Sequence, residues 1–315
     1  MSVLTTITEG ELTHFLKDYN LGSLQSFIGI SEGTVNTNYL LKINHVPYIL
    51  TLFEVLKQET AEAYLSLTEL LSQEKIPCAT ALVDSNKKSI RLLHNKPACL
   101  VRFMKGENLL TPSPRDCFQV GTFLARMHQS ALHFNTKIAN QMDASWRQEK
   151  TSHLMQKLSM SDQKLMNQAL AIQDKIPWHL LPKSMIHYDF FRDNVFFQQA
   201  ELSGIIDFYY ACYDAMILDI VIAINDWCTN WQAAALPIQA IHLHAMLEGY
   251  QTVRQLEMIE KQQILPILRV MSFHFWLART LSLVEPPKGS HITLKDPEPF
   301  KKIYLNWLDY PCLII

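Results

Sequence analysis

The sequence predicts an α+β chain in two parts: a small antiparallel β lobe with one helix over residues 1–104, and a larger, mainly helical lobe over residues 105–315. Three observations lead to that reading. Short apolar runs punctuated by turn residues fill the first third, at residues 27–28, 39–43, 47–54, 89–93 and 97–103, and each has the length and spacing of a strand. Beyond Met104-Lys105-Gly106-Glu107, which breaks the strand pattern as a hinge would, apolar residues recur mainly at helical spacing. The exception is residues 186–209, which read strand, polar loop, strand, tight turn and a last strand ending in an acid.

The elements follow in order. Thr8-x-x-Glu11 is a capping box, and Leu12, Phe15, Leu16 and Tyr19 continue at helical spacing. Gly29-Ile30-Ser31-Glu32-Gly33-Thr34-Val35-Asn36-Thr37-Asn38 is a glycine-containing hairpin between two strands. Backbone N–H groups and small polar side chains of such a hairpin can face an anion, although any surface hairpin could have this composition. Residues 59–73 are helical, with Tyr64, Leu67, Leu70 and Leu71 on one face, and Glu62 is expected to be solvated. Residues 83–88 suggest a strand running into a turn.

In the second part, Ser113-Pro114 supplies an N-cap and a first-turn proline, and His128 lies along the helix that follows. Residues 216–224 form an almost wholly apolar helix, so Asp219 near its start needs a buried partner. Further helices are expected near residues 238–256, 259–284 and 299–308. Trp227 and Trp231 are expected in the core, and His242 and His244 do not share a helical face, so they make a poor metal pair.

Composition limits the partners. The net charge of −2 argues against nucleic acid, which usually requires a basic face. Six cysteines without a Cys-x-x-Cys pair suit reduced thiols in the cytoplasm. Residues 1–10 lack the features of a signal peptide, and the apolar run at 216–224 is too short to span a bilayer, so no membrane partner is expected.

The loop in residues 187–194 carries His187-x-Asp189-x-x-x-x-Asn194, and the following strand ends at Asp207. This spacing fits the catalytic loop of the protein-kinase fold, in which an Asp orients the attacking hydroxyl while an Asn and a later Asp hold the metal. Asp189 is then the catalytic aspartate, and Asn194 and Asp207 are the Mg²⁺ ligands, hard oxygens for a hard cation. A plain polar hairpin, with His187, Asp189 and Asn194 capping turns, would explain the loop but not the downstream Asp207.

The wording around these residues resembles the aminoglycoside-phosphotransferase and choline-kinase branch of the kinase fold, and within it the family of bacterial homoserine kinases. The likeness is carried by His187-Tyr188-Asp189-Phe190-Phe191-Arg192-Asp193-Asn194-Val195-Phe196-Phe197, by Leu202-Ser203-Gly204-Ile205-Ile206-Asp207-Phe208-Tyr209-Tyr210-Ala211-Cys212 and by Tyr48-Ile49-Leu50-Thr51-Leu52-Phe53-Glu54. It runs through most of the chain and is weakest over residues 135–183.

The resemblance implies a kinase-like fold binding ATP and Mg²⁺, and phosphorylation of the side-chain hydroxyl of homoserine. It points to Gly29, Ser31, Gly33, Thr34, Asn36, Asn38, Lys42 and Phe103 on the nucleotide side. It places Arg192 and Asn194 with Asp189 among the catalytic residues and Asp219 as an acid bracing their loop; Arg192 and Arg279 are also expected partners for a substrate carboxylate. Two departures stand out. Thr51 occupies the place of the phosphate-pairing Lys of protein kinases, which leaves Lys42 as a candidate cation, and His274 stands where the family wording has an Arg.

Other readings remain. A kinase for an aminoglycoside, choline or methylthioribose would share the loop, but the last third interleaves acids and bases rather than presenting the acidic surface a polycation requires. A nucleotide-binding pseudokinase is opposed by intact Asp189, Asn194 and Asp207. A protein kinase would need a longer segment after Asp207.

Overall fold

The computed structural model describes residues 4–30, 36–286 and 294–313. The contacts divide the chain into two compact units, one from Met1–Lys105 with Gly204–Tyr209, the other from Gly106–Ser203, Tyr210–Pro286 and Leu294–Ile315. The sequence reading kept residues 204–209 with the helical part. They group with the first unit because the Ile205 amide donates to Pro77 O at 3.0 Å and its carbonyl accepts from Ala79 N at 3.1 Å.

The first unit opens with α1 (Glu9–Leu16), capped by the predicted Thr8–Glu11 box. Then come β1 (Leu24–Gly29), β2 (Thr37–Ile43), β3 (Val46–Leu52), α2 (Gln58–Gln73), β4 (Arg91–Leu93) and β5 (Lys96–Arg102). The strands form one antiparallel sheet in the order β1-β2-β3-β5-β4. Period-two alternation sends Thr37, Tyr39, Leu41 and Ile43 of β2 inward, and the apolar members pack with Leu12, Phe15 and Leu16 of α1. Thr5 and Thr37 both donate to the Glu54 carboxylate, at 2.7 and 2.5 Å, and Lys96 pairs with it. That network ties the segment before α1 to the sheet. The strand expected at residue 83 is absent; Ala81 makes a single bridge to Val101, and Asp84 instead folds a turn by accepting from the Asn86 and Lys88 amides at 2.9 Å.

The second unit contains α3 (Pro114–Ala131), α4 (Ala144–Leu154), α5 (Met160–Gln173), β6 (Lys183–Ile186), β7 (Val195–Gln198), β8 (Glu201–Ile205, whose last two residues group with the first unit), β9 (Cys212–Ala215), α6 (Ile217–Trp227), α7 (Ala240–Gln251), α8 (Met258–Val284) and α9 (Glu298–Asp309). β6 pairs antiparallel with β9, and β7 pairs with β8. Helices α4 and α5 lie in the stretch where the sequence suggested no element. Polar Arg147 and Thr151 occupy inward positions of α4, which hides its periodicity. The caps were readable: Asp143 and Ser159 accept from the amides of Trp146 and Asp162.

Helices α3 and α7 meet backbone to backbone. A Cβ on Gly121 would lie 2.0 Å from Met246 O, and one on Gly249 would lie 2.1 Å from Phe118 O. Every residue of α6 is buried, as its composition demands. By length and composition α8 could also cross a membrane; half of its most apolar window is buried inside the protein. Among the described residues all six cysteines are free thiols, five of them buried.

Candidate active site

The loop between β6 and β7 holds the expected catalytic residues, and its shape is set from beneath. Tyr188 adopts φ 67°, a conformation that is strained for a bulky side chain. The fully buried Asp219 of α6 holds it there, accepting from the amides of His187 and Tyr188 at 2.7 Å each. Phe190, also fully buried, anchors the next position against Phe123, with ring centroids 5.9 Å apart. Asp189, between them, is half-buried.

Asn194 closes the loop. Its Nδ2 donates to the Asp189 carbonyl at 2.8 Å and to Asp189 Oδ2 at 3.0 Å. Both partners are acceptors, so the amide orientation is determined by chemistry. The carbonyl oxygen Oδ1 is therefore the atom that could hold a hard divalent cation. Asp207 is half-buried with φ 65°, a left-handed conformation that Asp tolerates better than most residues. In its own unit, Tyr209 packs its ring edge-on against Phe53 at 4.9 Å, filling the place where protein kinases have Gly.

Two residues that the sequence reading missed also hold the loop. Asn108 Nδ2 lies within 3.1 Å of the carbonyls of Arg192, Asp193 and Val195. Asp226, at the end of α6, accepts from the Arg192 amide at 2.7 Å and takes its guanidinium on both oxygens, at 3.1 Å each. Burial pushes the Asp226 carboxyl above its ordinary range while Arg192 pulls it back. An acid just before the buried Trp227 was the available signal for Asp226. Asn108 gave none beyond its place after the hinge.

This geometry corrects the expectation for Arg192. With Nη1 also donating to Leu110 O at 2.5 Å and the guanidinium 5.3 Å from the Trp231 ring centroid, Arg192 is engaged by the protein itself and does not fit a substrate carboxylate. Arg279 is engaged differently. Its guanidinium lies 4.4 Å from the centroid of Phe300, and among the described residues it donates to a backbone carbonyl, Asp296 O, at 3.0 Å. Burial pulls its pKa below the ordinary arginine value, and the carboxylates of Asp226, Asp193, Asp296 and Asp189 pull it back. Lys295 sits nearby, donating to Asp193 at 3.2 Å.

His274 is buried at 1% exposure with Nδ1 unpartnered, 5.6 Å from the Tyr188 ring and 5.3 Å from that of Trp146. Burial, aided by the Arg147 charge, holds its pKa well below the usual imidazole value. It therefore stays neutral in the fold and takes up a proton on unfolding. Stability should fall as pH drops below about 6.5, at up to ~1.4 kcal/mol per pH unit for this group. Urea melts of wild type and His274→Gln at pH 7.5 and 5.5 test this; the variant should lose less on acidification, and parallel losses would refute it.

On the nucleotide side, Gly29 ends β1, and Ser31, Gly33 and Thr34 lie outside the described residues. Asn36 is buried, and its Oδ1 has no hydrogen-bond partner among the described residues. Asn38 accepts from Thr51 Oγ1 at 2.8 Å, so the residue in the usual lysine place serves the sheet. Lys42 and Phe103 are exposed. The pairing register aligns Ile28, Leu40, Ile49 and Val101 in one row across β1, β2, β3 and β5. Ile28 is 67% exposed there, and Leu40 and Ile49 are half-buried, so this sheet face is apolar and open on one side.

An Asp–Asn loop braced by a buried acid, downstream of a five-stranded antiparallel sheet, defines a kinase-like phosphotransferase that acts on a hydroxyl. The chain belongs to the phosphotransferase enzyme family whose model matches residues 26–256. It is 35% identical to the homoserine kinase of Methylobacillus flagellatus, over 96% of this chain and 94% of that one. It is also 35% identical to that of Neisseria meningitidis serogroup B, over 97% and 99%. Among solved structures, spectinomycin phosphotransferase with ADP and spectinomycin superposes with a TM-score of 0.73 at 13% identity, covering 97% of this chain and 99% of that one. An amicoumacin kinase in complex with AMP-PNP and Ca²⁺ superposes with a TM-score of 0.72 at 16% identity, covering 95% and 93%. At such identities these structures establish the fold alone.

Proposed function

We propose that this enzyme transfers the γ-phosphoryl group of Mg-ATP to the side-chain hydroxyl of L-homoserine, forming O-phosphohomoserine. The observation that carries the reading is the Asp189–Asn194 hydrogen bond, in a chain whose near-full-length relatives are homoserine kinases. Phosphoryl transfer requires positioning and charge neutralisation more than covalent help. Asp189 accepts the hydrogen bond of the substrate hydroxyl and receives its proton as the new P–O bond forms and ADP leaves. Asn194 Oδ1 and the Asp207 carboxylate hold Mg²⁺, which when bound neutralises phosphate charge. Arg279 pairs with the homoserine carboxylate. The apolar row from Ile28 to Val101 is a platform for adenine, and Lys42, exposed on the same face, is our candidate phosphate cation. The cytoplasm, where ATP is available and thiols stay reduced, is the proposed location.

The reading is tested by ADP release from Mg-ATP with homoserine, choline, methylthioribose and kanamycin as acceptors, with phosphorus NMR of the product. Homoserine should be the best acceptor, and a faster rate with any other would overturn the assignment. The metal role has its own test. Asp207→Asn removes one anionic ligand, so the gain in ATP affinity on adding Mg²⁺ should shrink markedly in calorimetric titrations. An undiminished gain would remove Asp207 from the metal site.

A further inference from the structure

A continuous run of buried side chains leads from the catalytic loop through the helical unit. Asp219 accepts the two loop amides and also His128 Nε2 of α3, at 3.1 Å. Across the imidazole, His128 Nδ1 lies 2.9 Å from Tyr250 OH of α7. Arg254 Nη1 lies 3.2 Å from that hydroxyl, and the same guanidinium grips Glu260 of α8 at 3.0 and 2.8 Å. Asp219, His128, Tyr250 and Glu260 are 0% exposed, and Arg254 is 8% exposed. The glycine-mediated approach of α3 and α7 brings His128 and Tyr250 together.

Chemistry determines the direction of each link. A guanidinium only donates, so the Tyr250 oxygen accepts from Arg254. Burial raises the Tyr250 pKa well above the ordinary phenol value against the pull of Arg254, so the phenol keeps its single proton. His128 Nδ1 is the acceptor that this proton reaches. The ring hydrogen must then sit on Nε2, facing Asp219.

We propose that Tyr250 and Arg254 are positioning residues for the reaction. They lock His128 as its Nε2–H tautomer, so that Asp219 receives three N–H donors and holds the strained Tyr188, and with it Asp189, in the catalytic conformation. In the opposite tautomer an imidazole lone pair would face the Asp219 carboxylate and compete with its grip on the loop. Only the kinetic part of this proposal rests on the role assigned to Asp189; the tautomer can be read without it.

The test uses histidine-selective nitrogen-15 NMR of the full chain, with the His128 signal assigned from His128→Asn. Wild type should show the Nε2–H tautomer at neutral pH. Tyr250→Phe keeps the buried ring but removes the hydroxyl, so His128 should lose that fixed pattern. Its kcat should fall about three- to tenfold, the worth of one such hydrogen bond, with KM for ATP and homoserine unchanged. Arg254→Met combined with Glu260→Met removes the ion pair without stranding a buried charge, and so gives a second, foldable route to the same readouts. It too should release the tautomer and lower kcat. An Nδ1–H or doubly protonated His128 in wild type would overturn the proposal. So would a wild-type spectrum and kcat in the double variant, or a fall in kcat with the His128 pattern unaltered.

Discussion

Asp189→Ala is expected to lower kcat by about 10²–10⁴-fold, the usual contribution of a positioned acid or base, while Mg-ATP still binds. The local structure makes this a test of chemistry rather than of folding. The Asp189 carbonyl keeps its 2.8 Å hydrogen bond from Asn194, and the amides of His187 and Tyr188 keep Asp219. What disappears is the carboxylate that accepts the substrate's hydroxyl proton. Steady-state kinetics alongside calorimetric nucleotide binding separates the two. Near-wild-type kcat would remove Asp189 from the mechanism, and lost nucleotide binding would mean that the loop itself had collapsed.

Acceptor choice is the second large effect. With its carboxylate held by Arg279, serine is one methylene too short for its hydroxyl to reach Asp189 as homoserine does. A misplacement of about 1 Å lowers the rate roughly a hundredfold, so serine should fall behind homoserine by about that factor in kcat/KM. Choline, which has no carboxylate, should leave Arg279 unpaired and be worse still. Arg279→Met should then raise the homoserine KM by about tenfold or more, the worth of a charge-assisted hydrogen bond, and narrow its advantage over choline. The ATP parameters should not move. A variant that keeps the wild-type homoserine KM would show that another group, with Lys295 the nearest candidate, holds the carboxylate.

The contrast between Arg192 and Arg279 shows how far side-chain identity alone could lead. Both arginines suit a carboxylate, and only the fold shows that Asp226 already occupies Arg192. Asp226 is 34 positions away in the chain, and no local pattern links the two. Arg279, by contrast, lies against Phe300 and, among the described residues, donates to a backbone carbonyl. His274 was legible as a departure from the family wording. That it is buried and neutral beside the Arg147 guanidinium follows from α4, a helix whose polar inward face gave no apolar period.

Local physics was enough for most of the elements and for the candidate reacting groups. Capping at Thr8 and Ser113, strand alternation in β2 and the apolar run of α6 are each decided by residues within a few positions of one another, and the Asp189–Asn194–Asp207 spacing lies within one short stretch of chain. Tertiary structure decided what those groups bond to. The Thr51 hydroxyl goes to Asn38, and His128 meets Tyr250 across 122 positions of chain because Gly121 and Gly249 let two helices touch. A hydrogen bond between distant residues depends on how whole elements pack, and no short stretch of sequence carries that information.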